Sequence, residues 1–118
     1  MFVAWEDSME MLASLYWTPG FLQRFEQSRG YSLIKYLPLL YNYANTWVQT
    51  VPAYSEQYTY SNSTDYYTEK HNVDYRITLN EGYQEYVQQF EEWSHSRSVE
   101  YSNQPAYNLP LEMVSANT

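Results

Sequence analysis

The stretch YRITLNEGYQEYVQQFEEWSHSRSVEYS, residues 75–102, decides the fold because it predicts a long helix followed at once by a strand. Apolar and aromatic residues recur there at intervals of three and four, the period of a helix with one buried face. They are Leu79, Tyr83, Tyr86, Val87, Phe90 and Trp93 or Ser94. The spacing predicts a helix from about Tyr75 to Arg97, with Asp74 as its N-cap. Val99–Ser102 is then predicted to be a strand.

Another strand is predicted at the start of the chain. Phe2–Trp5 is a short apolar run, and three carboxylates follow it within five positions, Glu6, Asp7 and Glu10. Asp7 and Glu10 lie three apart, the spacing of a capping box on a helix predicted over Ser8–Leu15. The same residues also lie where parallel β/α proteins bind their ligands, at the carboxyl end of a strand. Spacing alone leaves both interpretations open, a helix cap and a functional carboxylate cluster.

The middle of the chain predicts one clear helix and a long loop. Thr18-Pro19 is a typical helix start, since Thr caps free N–H groups and Pro is tolerated at the first helical position. Gly30 supplies the C-terminal stop of that helix. Ser32–Leu40 is predicted to be a second short helix or a turn-rich segment, broken around Pro38. Residues 41–72 are rich in Tyr, Ser, Thr and Asn, sustain no helical period, and are predicted to form a loop.

The predicted order is therefore β, α, α, long loop, α, β, α, the last helix covering Leu109–Ala116. Strands that alternate with helices favour parallel β/α units over a helical bundle. We predict an α/β fold that is mostly helical, with about two short parallel strands. Parallel strands are normally buried on both faces, and two strands do not achieve this. Residues 1–118 are thus expected to form a single incomplete domain, divided into 1–40 (β/α/α), 41–72 (loop) and 73–118 (α/β/α).

Composition excludes several classes of function. Of the 118 residues, 14 are acidic and 6 basic, and the net charge of −8 repels phosphate backbones, so no nucleic-acid partner is expected. The absence of cysteine excludes a disulfide framework and a Cys-based zinc site. His71 and His95 lack the spacing of metal ligands, and no metal site is predicted. There is neither an apolar run long enough to span a bilayer nor a recognisable signal peptide, so no membrane partner is expected.

Tyrosine is unusually frequent, with 15 residues, and it suits surfaces that bind polar ligands such as sugars, as well as the edge of a core. The segment YSNQPAY, residues 101–107, places Asn and Gln amides between tyrosines just after a predicted strand. Ring stacking and amide hydrogen bonds are what a sugar-binding rim uses. A turn around Pro105 explains the polarity of the segment equally well.

Several blocks, in the correct order, resemble the α-L-rhamnosidase-like glycoside hydrolases (family 106 and its fungal relatives). The blocks are Asp7-Ser8-Met9-Glu10, Trp17-Thr18-Pro19, Arg29-Gly30-Tyr31, Tyr36-Leu37-Pro38, Asp74-Tyr75-Arg76, Trp93-Ser94-His95 and Gln104-Pro105. The resemblance covers nearly the whole chain, and the Tyr/Ser-rich loop carries little of it.

The resemblance implies a partial (β/α)8 (TIM-barrel) segment of a secreted, extracellular and often calcium-dependent enzyme. Such enzymes hydrolyse α-L-rhamnosyl or related glycosidic bonds of carbohydrates with inversion. By motif match, Glu10 is the acid that protonates the leaving oxygen, and Asp7 belongs to the same site. The substrate-binding residues that the match implies are Asp7, Trp17, Gln104, Tyr107 and Asn108.

The chain departs from the family in what it lacks. Inversion requires a second carboxylate about 6.5–9.5 Å from the first, and a full barrel takes about 250 residues. Neither Glu100 nor Glu112 is a convincing second carboxylate, so the chain is expected to be inactive alone. The alternative is a non-catalytic carbohydrate-binding or protein-interaction module that uses the aromatic face of residues 79–93. Self-association through uncovered apolar surface would accompany it.

Overall fold

A computed structural model describes residues 2–7, 15–40 and 66–104. In chain order, their elements are β1 (Val3–Glu6), α1 (Phe21–Arg29), a 3₁₀ turn (Ile34–Tyr36), α2 (Leu37–Leu40), α3 (Tyr66–His95) and β2 (Glu100–Asn103). These residues divide into two compact units, the first built from 2–7 and 80–104 and the second from 15–40 and 66–79. Among the described helices, none combines the length and apolarity needed to cross a membrane.

The first unit contains a parallel two-stranded sheet. Val3 pairs with Glu100 and Glu6 pairs with Asn103, in register along the whole of both strands. The backbone N–H of Gln104 extends the ladder by donating to the Glu6 carbonyl at 3.1 Å. The prediction of two short parallel strands in a mostly helical chain is confirmed. Both strands begin and end one residue later than predicted, and this shift places Glu6 and Asn103 at their carboxyl ends.

One face of the sheet packs on the second half of α3. Val87 of the helix is fully buried against Tyr101 of β2, and Tyr83 and Phe90 pack around this pair. The Phe90 and Tyr101 rings lie 5.0 Å apart. This core is small and aromatic, as the spacing of the helix residues predicts.

The buried helix face predicted from the sequence is correct, and its last buried residue is Ser94, not Trp93. Ser94 is fully buried, whereas Trp93 is 50% exposed. Ser94 follows Phe90 by four positions and therefore continues the same stripe of the helix. The indole of Trp93 lies instead under the Arg97 guanidinium, 4.9 Å from the ring centre.

The core of the second unit consists mainly of aromatic and leucine side chains. Its buried members are Phe21, Phe25, Leu33, Leu40 and Tyr75. Helix α1 supplies both phenylalanines from positions four apart, and α3 supplies Tyr75, whose ring meets Phe21 edge-on at 5.6 Å. The buried Tyr75 hydroxyl donates to the carbonyl of Tyr16 at 2.7 Å, which satisfies its polar atom.

Helix α1 ends as predicted but begins differently. Gly30 adopts φ 79°, the left-handed conformation of a C-cap, and its N–H donates to the Glu26 carbonyl at 2.9 Å. The N-cap is Gly20, also left-handed at φ 80°, and no side chain caps the helix. Thr18 was the predicted cap; its carbonyl instead accepts the Phe21 N–H at 3.1 Å, closing a turn just before the helix. The prediction for the start of α1 is therefore wrong by two residues.

Two further boundaries differ from the predictions. The 3₁₀ turn continues directly into α2, and Pro38 does not break it, because it lies in the first turn of α2, where a missing N–H is tolerated. Helix α3 begins at Tyr66, so residues 66–72 are helical and not part of a loop. Asp74 is consequently an interior helix residue, and its carboxylate accepts the Tyr31 hydroxyl at 2.8 Å. The prediction of Asp74 as an N-cap is wrong.

Three predicted features lie wholly or almost wholly outside the described residues. They are the helix over Ser8–Leu15, the remainder of the loop over 41–65, and the helix over Leu109–Ala116. Leu15, the last residue of the first of these, is described and is not helical.

Candidate ligand site at the carboxyl ends of the strands

The two strands bring polar residues together at one edge of the sheet. Glu6 and Asn103 are the last residues of β1 and β2 and lie side by side in register. Asp7 and Gln104 follow them, and both are exposed. The carboxyl ends of parallel strands are where β/α proteins commonly bind ligands. We call Glu6, Asp7, Asn103 and Gln104, together with the tyrosines that contact Glu6, the carboxyl-edge site.

The predicted site residues do not all lie together in the structure. It brings Asp7 and Gln104 to the carboxyl-edge site. Trp17 belongs to the second unit, where it is 44% exposed and its ring lies 4.7 Å from that of Phe21. The other three, Glu10, Tyr107 and Asn108, lie outside the described residues.

The centre of the carboxyl-edge site is the Glu6 carboxylate. Its Oε1 accepts the Tyr86 hydroxyl at 2.7 Å, and its Oε2 accepts the Tyr101 hydroxyl at 2.5 Å. One donor comes from α3 and the other from β2, so two elements fix the orientation of the carboxylate. Hydrogen bonds to an ionised acceptor are the strong ones in proteins. From the sequence, Glu6 is only one of three carboxylates after the first strand and is not a predicted site residue. Its central position depends on Tyr86 of the helix face and Tyr101 of the second strand.

The tyrosines around Glu6 are held in their protonated form. Burial raises the pKa of Tyr86 to about 12, and the hydrogen bond to Glu6 adds to the effect. Burial and the same carboxylate raise the pKa of Tyr101 as well. The pKa of Tyr83 is also raised, first by burial and then by the charge of Glu6. All three side chains are therefore neutral hydroxyls near neutral pH.

The Asn103 amide is the polar group in the carboxyl-edge site whose hydrogen bonding is incomplete. Its Nδ2 is buried, and among residues 2–7, 15–40 and 66–104 it has no hydrogen-bond partner. The amide lies near the Tyr101 hydroxyl and partly offsets the rise that burial causes in the pKa of that tyrosine. Asn103 Nδ2 and the hydroxyl oxygen nevertheless do not meet in hydrogen-bond geometry. A buried donor without a partner is rare in native proteins and commonly marks a place where water or a ligand binds.

The arrangement suits hydrogen bonding to hydroxyl groups. A carboxylate has about four acceptor positions, and the tyrosines use two of those on Glu6. The Asn103 amide supplies donors beside it. Both Glu6 oxygens accept a tyrosine hydroxyl, and the carboxylate keeps acceptor positions beyond those two.

A metal site does not emerge from the described part of the chain. It contains no group of three or more His, Asp or Glu side chains that could hold an ion. Calcium needs six to eight oxygen ligands.

Comparisons of the chain with protein-family models, with curated proteins and with solved structures give no match.

Proposed function

We propose that the carboxyl-edge site binds a carbohydrate. The observation that carries this proposal is the Glu6 carboxylate, fixed by two tyrosine hydroxyls, beside the partnerless buried amide of Asn103. Sugar hydroxyls both donate and accept hydrogen bonds. The remaining acceptor positions of Glu6 and the donors of Asn103 match those two capacities. Because the tyrosines already hold Glu6 in place, little ordering is needed when the ligand binds.

The aromatic rings near Glu6 support a sugar as the ligand. The rings of Tyr83 and Tyr86 stack with centres 6.1 Å apart, and that of Phe90 lies 6.4 Å from Tyr86. Tyr86 is 39% exposed, so one part of this aromatic row reaches solvent. Ligand sites typically combine such apolar surfaces with a few fixed polar groups. The carboxylates of Glu6 and Asp7 disfavour an acidic ligand, and a neutral sugar is the better match.

A second, catalytic proposal is that the chain is a segment of an inverting α-L-rhamnosidase-like hydrolase. Such an enzyme would be built on a TIM barrel and would act outside the cell. The parallel pairing of β1 and β2, with polar residues at their carboxyl ends, favours it as a second candidate. In this form Glu10, four positions after Glu6, protonates the leaving oxygen. A second carboxylate about 6.5–9.5 Å away then activates water. Glu6 is a positioning residue in this reaction.

Binding is tested by titrating the chain with methyl α-L-rhamnopyranoside and following backbone amide signals by NMR. We expect shifts at Glu6, Tyr101 and Asn103. Asn103→Ala removes the partnerless donor and should weaken binding about tenfold, the effect of one lost hydrogen bond. Gln88→Ala removes an amide from an exposed position of α3 and should bind as the parent does. Unchanged affinity in Asn103→Ala, or no shifts at millimolar sugar, would refute the proposal.

Catalysis has its own assay, the release of nitrophenol from 4-nitrophenyl α-L-rhamnopyranoside. Release that Glu10→Gln abolishes and Glu92→Gln leaves intact would establish the catalytic form. Glu92 is an exposed residue of α3 and matches the change in charge. Sugar binding without release would identify a binding module.

A further inference from the structure

We infer that the second unit contains a separate site for a small organic anion, in a cavity between the segment Tyr31–Tyr36 and α3. The cavity has a volume of about 690 Å³. Small-molecule sites in proteins range from about 300 to 1,000 Å³, so the space suits a compact ligand. Its polar lining comes from Ser32, Lys35, Lys70 and His71, and the tyrosine rings form much of its wall.

The position of the lysines is the first argument for an anion. The chain has a net charge of −8 and only two lysines, Lys35 and Lys70. Both line this cavity, although they come from different elements. Two ammonium groups therefore lie at one concave surface of an otherwise acidic chain. Each ammonium carries three donors and binds phosphate or carboxylate oxygens as a point charge.

Aromatic rings hold these ammonium groups at the cavity. Lys35 Nζ lies over the Tyr36 ring, 4.8 Å from its centre, and Lys70 Nζ lies over the Tyr31 ring at 5.5 Å. A cation over a ring face is attracted by the negative face of the ring. The attraction limits the freedom of two otherwise flexible side chains, so less entropy is lost when a ligand binds them.

The wall behind the lysines is fixed by packing. The rings of Tyr36 and His71 stack at 4.8 Å and an angle of 6°, and His71 is only 2% exposed. Tyr31 meets Tyr36 edge-on at 5.9 Å, and its hydroxyl donates to Asp74. The cavity is therefore a preformed surface of rings with two cations.

The ligand that fits is one phosphate or carboxylate group on a small organic body. The lysines would bind the oxyanion, and the rings of Tyr31 and Tyr36 would contact the body. This inference does not depend on the carbohydrate proposal, since no residue is common to the two sites.

The test is calorimetric titration of the whole chain with inorganic phosphate, with acetate, and with a hexose monophosphate against the free hexose, all at constant ionic strength. The hexose monophosphate is expected to bind more tightly than phosphate. Any heat from the free hexose is expected to be the same in the parent and in Lys35→Met,Lys70→Met, since a sugar bound at the carboxyl-edge site does not contact the lysines. A stronger response to acetate than to phosphate would identify a carboxylate as the natural anion.

Variants of the exposed Lys70 locate the binding. Lys70→Met should weaken hexose monophosphate binding about tenfold, the effect of one lost charged contact, and Lys35→Met,Lys70→Met should abolish it. Arg97→Met makes the same change in net charge in the first unit and should bind as the parent does. Equal weakening in Lys70→Met and Arg97→Met would show an effect of net charge alone and would overturn the inference. So would the absence of binding by any of the anions.

Discussion

Tyr101 donates its hydroxyl hydrogen to Oε2 of Glu6 at 2.5 Å, although the two residues are 95 positions apart in the chain. The bond joins the middle of β2 to the last residue of β1, across the parallel ladder. Tyr86 brings α3 to the same carboxylate. One side chain thus connects the three elements that build the first unit.

Removing the Tyr101 hydroxyl should destabilise the chain more than removing that of Tyr86. Tyr101 is 8% exposed and Tyr86 is 39% exposed, so water replaces the lost partner more easily at Tyr86. We expect Tyr101→Phe to lower the free energy of unfolding by about 1.5–3 kcal/mol, as for a buried bond to a charged group. Tyr86→Phe should lower it by less than about 1 kcal/mol.

Urea denaturation measures both values. Adding Glu6→Gln to each variant closes a double-mutant cycle, which isolates the part of the hydrogen bond that depends on the charge of the carboxylate. A larger loss in Tyr86→Phe than in Tyr101→Phe would show that the exposed hydrogen bond to Glu6, and not the buried one, is the stronger.

Alkaline pH should unfold the chain. The folded-state pKa of Tyr86 is about 12, and the pKa values of Tyr31, Tyr75 and Tyr101 are also raised, mainly by burial. Unfolded tyrosine titrates near pH 10, so above that pH the unfolded chain loses protons first. The stabilisation is complete below pH 10 and decreases as the pH rises through the folded-state values.

Urea midpoints measured between pH 9 and pH 12 should therefore fall, with tyrosinate absorbance rising together with the loss of helical circular dichroism. Tyrosines that all titrate near pH 10 while the helix signal persists would disprove the prediction. Tyr86→Phe should make the fall less steep, since it removes one of the shifted groups.

The buried serine of α3 is a place where the chain should tolerate or gain from substitution. Ser94 is fully buried, and its Oγ has no hydrogen-bond partner among the residues that the structure describes. Burying a hydroxyl without a partner costs about 1–3 kcal/mol. Ser94→Ala removes that hydroxyl and leaves the packing almost unchanged, so its thermal midpoint should equal or exceed that of the parent.

Ser96→Ala is the matched control for this substitution. The exposed Ser96 hydroxyl donates to the Trp93 carbonyl at 2.6 Å, and its loss should slightly lower the midpoint. A marked loss of stability in Ser94→Ala would mean that the buried hydroxyl has a partner.

The C-cap of α1 should be sensitive to any residue that disfavours positive φ. Gly30 has φ 79°, and a Cβ atom built there would meet nothing within 4 Å. The penalty of Gly30→Ala is therefore confined to the backbone and should be about 1–2 kcal/mol. Gly30→Asn should lose less, because Asn tolerates the left-handed region. Chemical denaturation compares the two, and equal losses would argue against a purely conformational cause.

Periodicity allowed the prediction of most of the described fold. The stripe from Leu79 to Phe90 depends only on local spacing, and so does the glycine stop at Gly30, so both could be predicted from the sequence. The early part of α3 could not, because YYTEKHN, residues 66–72, carries no apolar stripe. Helix formation there is not set by periodicity. Asp74 has the composition of a cap, yet its actual partner, Tyr31, lies far away in sequence.

The candidate site was predictable in position but not in detail. The order of strands and helices predicted a ligand site at the carboxyl ends of the strands, and Asp7 and Gln104 lie at those ends in the structure. The central carboxylate is nevertheless Glu6, because β1 extends one residue further than its apolar run. No local pattern shows that Tyr86 and Tyr101 converge on one carboxylate, since that contact depends on how a helix and two strands pack. The catalytic role of Glu10 remains a prediction.

The parallel pairing of β1 with β2 has a consequence for how the chain folds. Most of the chain lies between the two strands, so pairing them closes a very long loop. Closing that loop costs chain entropy before the hydrogen bonds of the ladder can compensate for it. Helix formation relies on local contacts and is generally fast, whereas pairing between segments so distant in sequence is slow. The meeting of the two ends should therefore limit the folding rate. Glu6 and Asn103 come together only in that step, so a partly folded chain has no carboxyl-edge site to offer a ligand.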